Sequence, residues 1–224
     1  APWMMYKQEF MGLGGHDPIL RSCREDSDVF NRMLLAGFKF IQPWNSLVYH
    51  LTGRGAGSFS GDEERHKKWQ LEMQNSTKEF IRKWGTTVKH TPLMKPIVCP
   101  KYDIGIIAKN CNDIQFIEAL EPWCSNIYVD KNRSKYIDLE QKNTDYNLKK
   151  RVLPIDNEKN NEILITVDSS KFTQQDFQYL QQMSEILADS GEPSFHGELG
   201  NITVEIFEVM NTYEKDLIKI NLDK

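Results

Sequence analysis

Several features are missing from this sequence, and each absence narrows the reading. No apolar run approaches the ~20 residues needed to cross a bilayer, and no basic-then-apolar signal segment opens the chain. An initiator Met is also missing: the chain starts Ala1-Pro2-Trp3-Met4-Met5, as expected of a piece cut from a longer protein. Cysteine is scarce, and Cys23, Cys99, Cys111 and Cys124 form neither a CxxC pair nor a Cys/His cluster. That spacing excludes a disulfide frame and a zinc site and reads as free thiols in a reducing compartment. With no export or membrane segment, the expected location is the cytoplasm. A basic surface is missing where a nucleic-acid binder would need one: the net charge is -4.

What is present suits a folded protein. The 224 residues are 39% hydrophobic, 27% charged and 11% aromatic, enough for a packed core. Charge is uneven. Residues 1–100 hold 14 Lys and Arg against 10 Asp and Glu, whereas residues 101–224 hold 14 against 22. A mildly basic first half suits an anionic ligand such as a nucleotide diphosphate.

Turn clusters at Gly12-Leu13-Gly14-Gly15 and Gly53-Arg54-Gly55-Ala56-Gly57-Ser58 punctuate the first sixty residues. Over 62–84, Trp69, Met73, Phe80 and Trp84 recur near helical spacing, which predicts an amphipathic helix ended by Gly85. Pro92, Pro96 and Pro100 then mark a linker. Beyond it, 103–109 (DIGIIAK), 126–130 (NIYVD), 162–168 (EILITVD) and 201–209 (NITVEIFEV) read as strands. One helix is expected at 112–120. Another opens at Thr173, with Asp176 in the capping-box position and Phe177, Leu180, Met183 and Leu187 as its stripe. The polar residues 131–161 read as an exposed loop or hairpin. Two β-α-β units of this size predict a ferredoxin-like α+β layer with helices on one face. An RNA-recognition domain shares this element order, but its aromatic Lys/Arg-Gly-Phe strand motif is missing.

The most informative stretch runs from Gly14 to His50. Glu25-Asp26-Ser27-Asp28 stands at the start of a helix with apolar Val29, Phe30, Met33 and Leu34. Acidic groups there are favoured by the helix dipole and free N–H groups. The same field can keep a carboxylate ionised to take a proton. Composition leaves both roles open.

Gly14-Gly15-His16-Asp17, Glu25-Asp26-Ser27-Asp28, Arg32, Gly37-Phe38-Lys39, Val48-Tyr49-His50 and Phe80-Ile81-Arg82-Lys83-Trp84-Gly85 follow in order. Together they resemble the acceptor half of inverting family 2 glycosyltransferases, which have the GT-A fold. The resemblance covers residues 1–90. It implies an α/β, partial GT-A region over 1–90; the prolines then place a linker at 91–101, and the β-α-β pattern an accessory α+β domain over 102–224, outside the resemblance. It also implies sugar transfer from a nucleotide-diphosphate donor to a glycan or other hydroxyl acceptor. Asp26 would be the general base, with Glu25 orienting the site. Trp3, Gly15, His16 and Asp17 would line the acceptor pocket, and Arg54 would reach the diphosphate. His50 would help hold a divalent cation, Mn or Mg.

The family's nucleotide-binding β-α-β half, which ends in Asp-x-Asp, has no counterpart here. Asp26-Ser27-Asp28 has that form but begins a helix, not the end of an apolar strand, and is assigned to the base motif. The isolated chain is therefore expected to bind donor poorly. The alternative is a non-catalytic interaction module carrying a degenerate remnant of such an enzyme.

Overall fold

The computed structural model describes residues 3–21, 23–49 and 63–209. It divides into two compact units. Among the described residues, the first holds those up to Phe80 together with Val88–Val98; the second holds Ile81–Thr87 and residues 99–209.

The first unit is built from helices. α1 (Lys7–Gly12) leads into the glycine turn, α2 (Glu25–Leu35) carries the acidic cluster, and α3 (Glu63–Trp84), whose last turn from Ile81 belongs to the second unit, is the long amphipathic helix expected from the sequence. Gly85 ends α3 with φ +70°, its N–H bonded to the carbonyl of Ile81 at 2.7 Å. Only a residue tolerant of the left-handed region fits there. Leu13, Val29 and Met33 form the small core of this unit, flanked by Trp3, Phe10, Phe30, Phe38 and Phe40.

Val48 and Tyr49, β-branched and aromatic residues of the kind that favour strands, are irregular and exposed. An extended segment becomes a strand only when its N–H and C=O groups find a neighbouring ladder. The proline-rich stretch expected to be a linker folds as a tight turn: Thr91 N–H donates to Lys95 O at 2.8 Å, and Ile97 N–H to Lys89 O at 3.0 Å.

The second unit is a mixed α/β layer structure. Its strands are β1 (Ile104–Lys109), β2 (Asn126–Val129), β3 (Val152–Pro154), β4 (Ile163–Asp168), β5 (Phe195–Leu199) and β6 (Ile202–Ile206). They form one sheet in the order β3-β2-β1-β4-β6-β5. The first four are mutually parallel, while β6 runs antiparallel to β4 and to β5. Between them lie α4 (Ile114–Leu120), α5 (Arg133–Glu140), α6 (Leu148–Arg151), α7 (Gln174–Gln181) and α8 (Met183–Ser190). Ile106, Ile127, Ile165 and Val204 share one sheet face, and Ile117, Leu120, Ile137, Leu180 and Leu187 pack over them in a single core.

The topology does not match a ferredoxin-like split. β1 and β2 pair directly and in parallel, where a split βαβ unit would hold another strand between them. The cause lies in residues 131–161, read as an exposed loop. Tyr136, Ile137, Leu148 and Val152 are buried there, too sparse to stand out among polar neighbours, and they supply α5, α6 and a third parallel strand. At Thr173 the capping box forms as expected: its hydroxyl accepts from Asp176 N–H, and Thr173 N–H donates to Asp176 Oδ2 at 2.7 Å. Asn201 and Thr173 donors outweigh desolvation at Asp176 and hold its carboxyl at about 2.

A buried ionic network fixes the last turn of α3 to this core. Arg82 donates to Glu121 at 2.6 Å and to Glu140 at 2.9 Å, while Arg151 reaches Glu121 at 2.7 Å. Burial alone would raise the Glu121 carboxyl, but the guanidinium groups of Arg151 and Arg82 outweigh it and hold it below the ordinary glutamate value. Replacing Glu121 by Gln leaves two guanidiniums undercompensated and should lower stability by about 3–5 kcal/mol at neutral pH. Because the folded value is depressed, the contribution is present above the unfolded-state value, about 4.3, and is lost as pH falls through the folded one. Urea melts of both proteins should therefore converge as pH drops below 4.3. On the opposite sheet face, a Cβ at Gly105 would collide with Asn161 Oδ1, which accepts from Tyr128 Oη at 2.8 Å. Gly105→Ala should cost about 1–3 kcal/mol, measured the same way.

Candidate functional site

The acidic cluster falls in the first turn of α2, and its three carboxylates have different surroundings. None is the N-cap: Arg24 takes that position with φ +73°. A non-glycine residue in the left-handed region costs of order 1 kcal/mol, so the surroundings must hold it. Asp28 is fully buried and pairs with Arg32 one turn on, whose Nε and Nη2 reach Asp28 Oδ2 at 2.9 and 2.8 Å. The same guanidinium donates to the carbonyls of Leu13 and Gly15, the latter at 2.6 Å. Arg32 thus ties α2 to the Gly14-Gly15 turn, where φ values of +90° and +68° require glycine.

Asp26 points elsewhere. Its Oδ1 accepts the indole N–H of Trp3 at 3.1 Å. The Trp3 ring lies 5.8 Å from Phe10, 5.8 Å from Phe30 and 6.3 Å from His16, in tilted or edge-to-face contacts. Glu25, first in the helix, has its Oε2 buried with no hydrogen-bond partner among the described residues.

The fold therefore brings together Trp3, His16 and Asp26, with Glu25 beside Asp26 in the chain and Gly15 joined to the same helix through Arg32. Asp17 faces its own turn, where Oδ1 accepts from Ile19 N–H at 3.2 Å. His50 and Arg54 lie outside the described residues. Phe10 and Phe30, which frame Trp3, were not among the residues expected at the site; their helical neighbourhood gave only a core signal. No group of three or more His, Cys, Asp or Glu side chains among the described residues could hold a metal ion.

The carboxyl ends of the parallel strands in the second unit are a second place to look, since ligands of open α/β sheets gather there. In this chain the donors at those ends are already engaged. The N–H groups of Asn110 and Cys111, just after β1, donate to Asp130 at 2.8 and 3.0 Å. Asn110 Nδ2 donates to Asp168 at 2.9 Å. That bond and those from Ser170 hold the exposed Asp168 carboxyl at about 2. Burial, reinforced by Asp130, pushes the Cys111 thiol up to about 12, so it stays protonated and unreactive at neutral pH. The carboxylates close this loop on itself, and the acidic residues act as caps.

No family model, curated protein or solved structure matches this chain.

The Arg32 contacts give a direct test of how the acidic turn is built. Arg32→Met should lower the stability of the first unit by about 3 kcal/mol in urea unfolding, because the buried ion pair with Asp28 and the bonds to the Leu13 and Gly15 carbonyls would be lost. An exposed arginine would lose well under 1 kcal/mol.

Proposed function

We propose that the first unit is the acceptor-side part of an inverting, family 2-like glycosyltransferase, with Asp26 as general base. The observation that carries the reading is the separation of roles in one helical turn. Asp28 is paired with Arg32, while Asp26 Oδ1 accepts the indole N–H of Trp3, whose ring lies against Phe10 and His16. A carboxylate with an aromatic wall suits a sugar acceptor, whose apolar ring face rests on aromatic carbon while its hydroxyls meet the acid.

In the proposed reaction Asp26 takes the proton of the acceptor hydroxyl as that oxygen attacks the anomeric carbon of the donor sugar. The new C–O bond forms on one face while the bond to the diphosphate breaks on the other, inverting the centre. The nucleoside diphosphate leaves with the bonding pair, and Asp26 then releases its proton to solvent. Glu25, next to Asp26 in the chain, would orient the site or the acceptor. The cation that belongs to this reading would draw on His50, and the described residues alone do not supply its ligands. No step is assigned to it. Arg54 would stabilise the leaving diphosphate.

Under this reading the second unit is an accessory α/β domain. The alternative, a non-catalytic interaction module, draws support from the chain's lack of a recognisable donor-binding motif.

The test is sugar transfer by the natural gene product containing this chain. Asp26→Asn should reduce turnover by at least a thousandfold while changing donor affinity less than twofold, measured by calorimetric titration with nucleotide-diphosphate sugar. Transfer that survives this substitution removes Asp26 from the base role.

A further inference from the structure

We infer that Trp3 is a positioning residue for Asp26: its indole N–H fixes the carboxylate that takes the acceptor's proton. The inference rests on the base reading of Asp26 and deepens it, since that reading gave Trp3 only a place in the acceptor wall.

The geometry has three parts. Trp3 and Asp26 are 23 residues apart, so the 3.1 Å bond is made by the tertiary fold and not by neighbouring chain. An indole N–H donates one hydrogen bond, in the plane of its ring, so fixing the ring fixes the donor's direction. The ring is fixed by Phe10 at 51°, His16 at 72° and Phe30 at 76° between planes, contacts that come from α1, the glycine turn and α2. Three separate pieces of chain thus hold one donor against one carboxylate oxygen.

The neighbouring acid shows what a different partner does. Asp28 meets a guanidinium, and every hydrogen bond of Arg32 given above goes to Asp28 or to backbone carbonyls. A charged, bidentate partner locks a carboxylate into structure. The Trp3 indole gives Asp26 a neutral donor whose direction is set by the ring contacts. A base held within a fraction of an ångström of its productive position reacts far faster than a loose one, and a misplacement near 1 Å costs up to about a hundredfold.

The experiment uses the natural gene product and the substitution Trp3→Phe, which keeps an aromatic ring and removes the N–H. The expected result is a ten- to hundredfold fall in kcat with less than a twofold change in the acceptor KM. A residue that only lines the acceptor pocket would do the reverse, so a raised KM with unchanged kcat overturns the inference. A second measurement needs no turnover. The indole N–H resonance of Trp3, followed by nitrogen-15 NMR, should move in Asp26→Asn and stay in place in Asp17→Asn. A Trp3 resonance unmoved by Asp26→Asn also overturns the inference. If Asp26→Asn moves the resonance yet leaves sugar transfer intact, the contact stands but the base reading fails, and the positioning role falls with it. If Asp26→Asn abolishes transfer while Trp3→Phe leaves kcat unchanged, the base reading stands and only the positioning role is lost.

Discussion

A guanidinium removed from water must have its donors engaged by nearby acceptors, and this requirement shapes both units of the chain. In the first, Arg32 is 2% exposed and satisfied by Asp28 and two carbonyls of the glycine turn. In the second, Arg82 is 1% exposed and satisfied by Glu121 and Glu140. Such groups are poor sources of net stability compared with apolar packing, yet severe to break. Their value here is geometric. Each arginine reaches acceptors far along the chain and leaves little freedom in how a helix meets what surrounds it.

The consequence for chemistry is clearest at α2. Three acids within four residues could have formed one diffuse negative patch. Arg32 removes Asp28 from that patch by burying it, and Trp3 turns Asp26 toward aromatic surface. One short stretch therefore supplies both a structural ion pair and a candidate proton acceptor. The second unit shows the contrasting use of acids: Asp130, Asp168 and Asp176 all satisfy backbone or amide donors at loop ends.

Much of the second unit was legible in the sequence, because its strands are continuous apolar runs and its helix at Thr173 announces itself with a capping box. β3 was not. Val152-Leu153-Pro154 is too short to show periodicity, and the buried Tyr136, Ile137 and Leu148 that bring it into place are scattered among charged residues. β5 (Phe195–Leu199) was missed as well, and with β3 and β5 both absent the four remaining strands read as a split layer. In the first unit α2 and α3 were readable from spacing, whereas the short α1 was not, and Trp3, His16 and Asp26 were named together only through the family resemblance. The division of labour between Asp26 and Asp28 was not, since it depends on which acid lies one helical turn before Arg32 and inside the fold. Val48 and Tyr49 show the converse: strand-like residues remain irregular without a ladder to join.

None of the four cysteines is in a disulfide, and three of them lie inside the fold. Burial raises Cys23, Cys111 and Cys124 above the ordinary thiol range, so little thiolate is available while the structure is closed. Alkylating reagents act on thiolate and need access to sulfur. Their reaction with Cys111 or Cys124 must wait for the helical layer to lift from the sheet, whereas Cys23 answers to motions of the first unit. The labelling rate at each sulfur is therefore an internal clock for local opening, one for each half of the molecule, requiring no added probe.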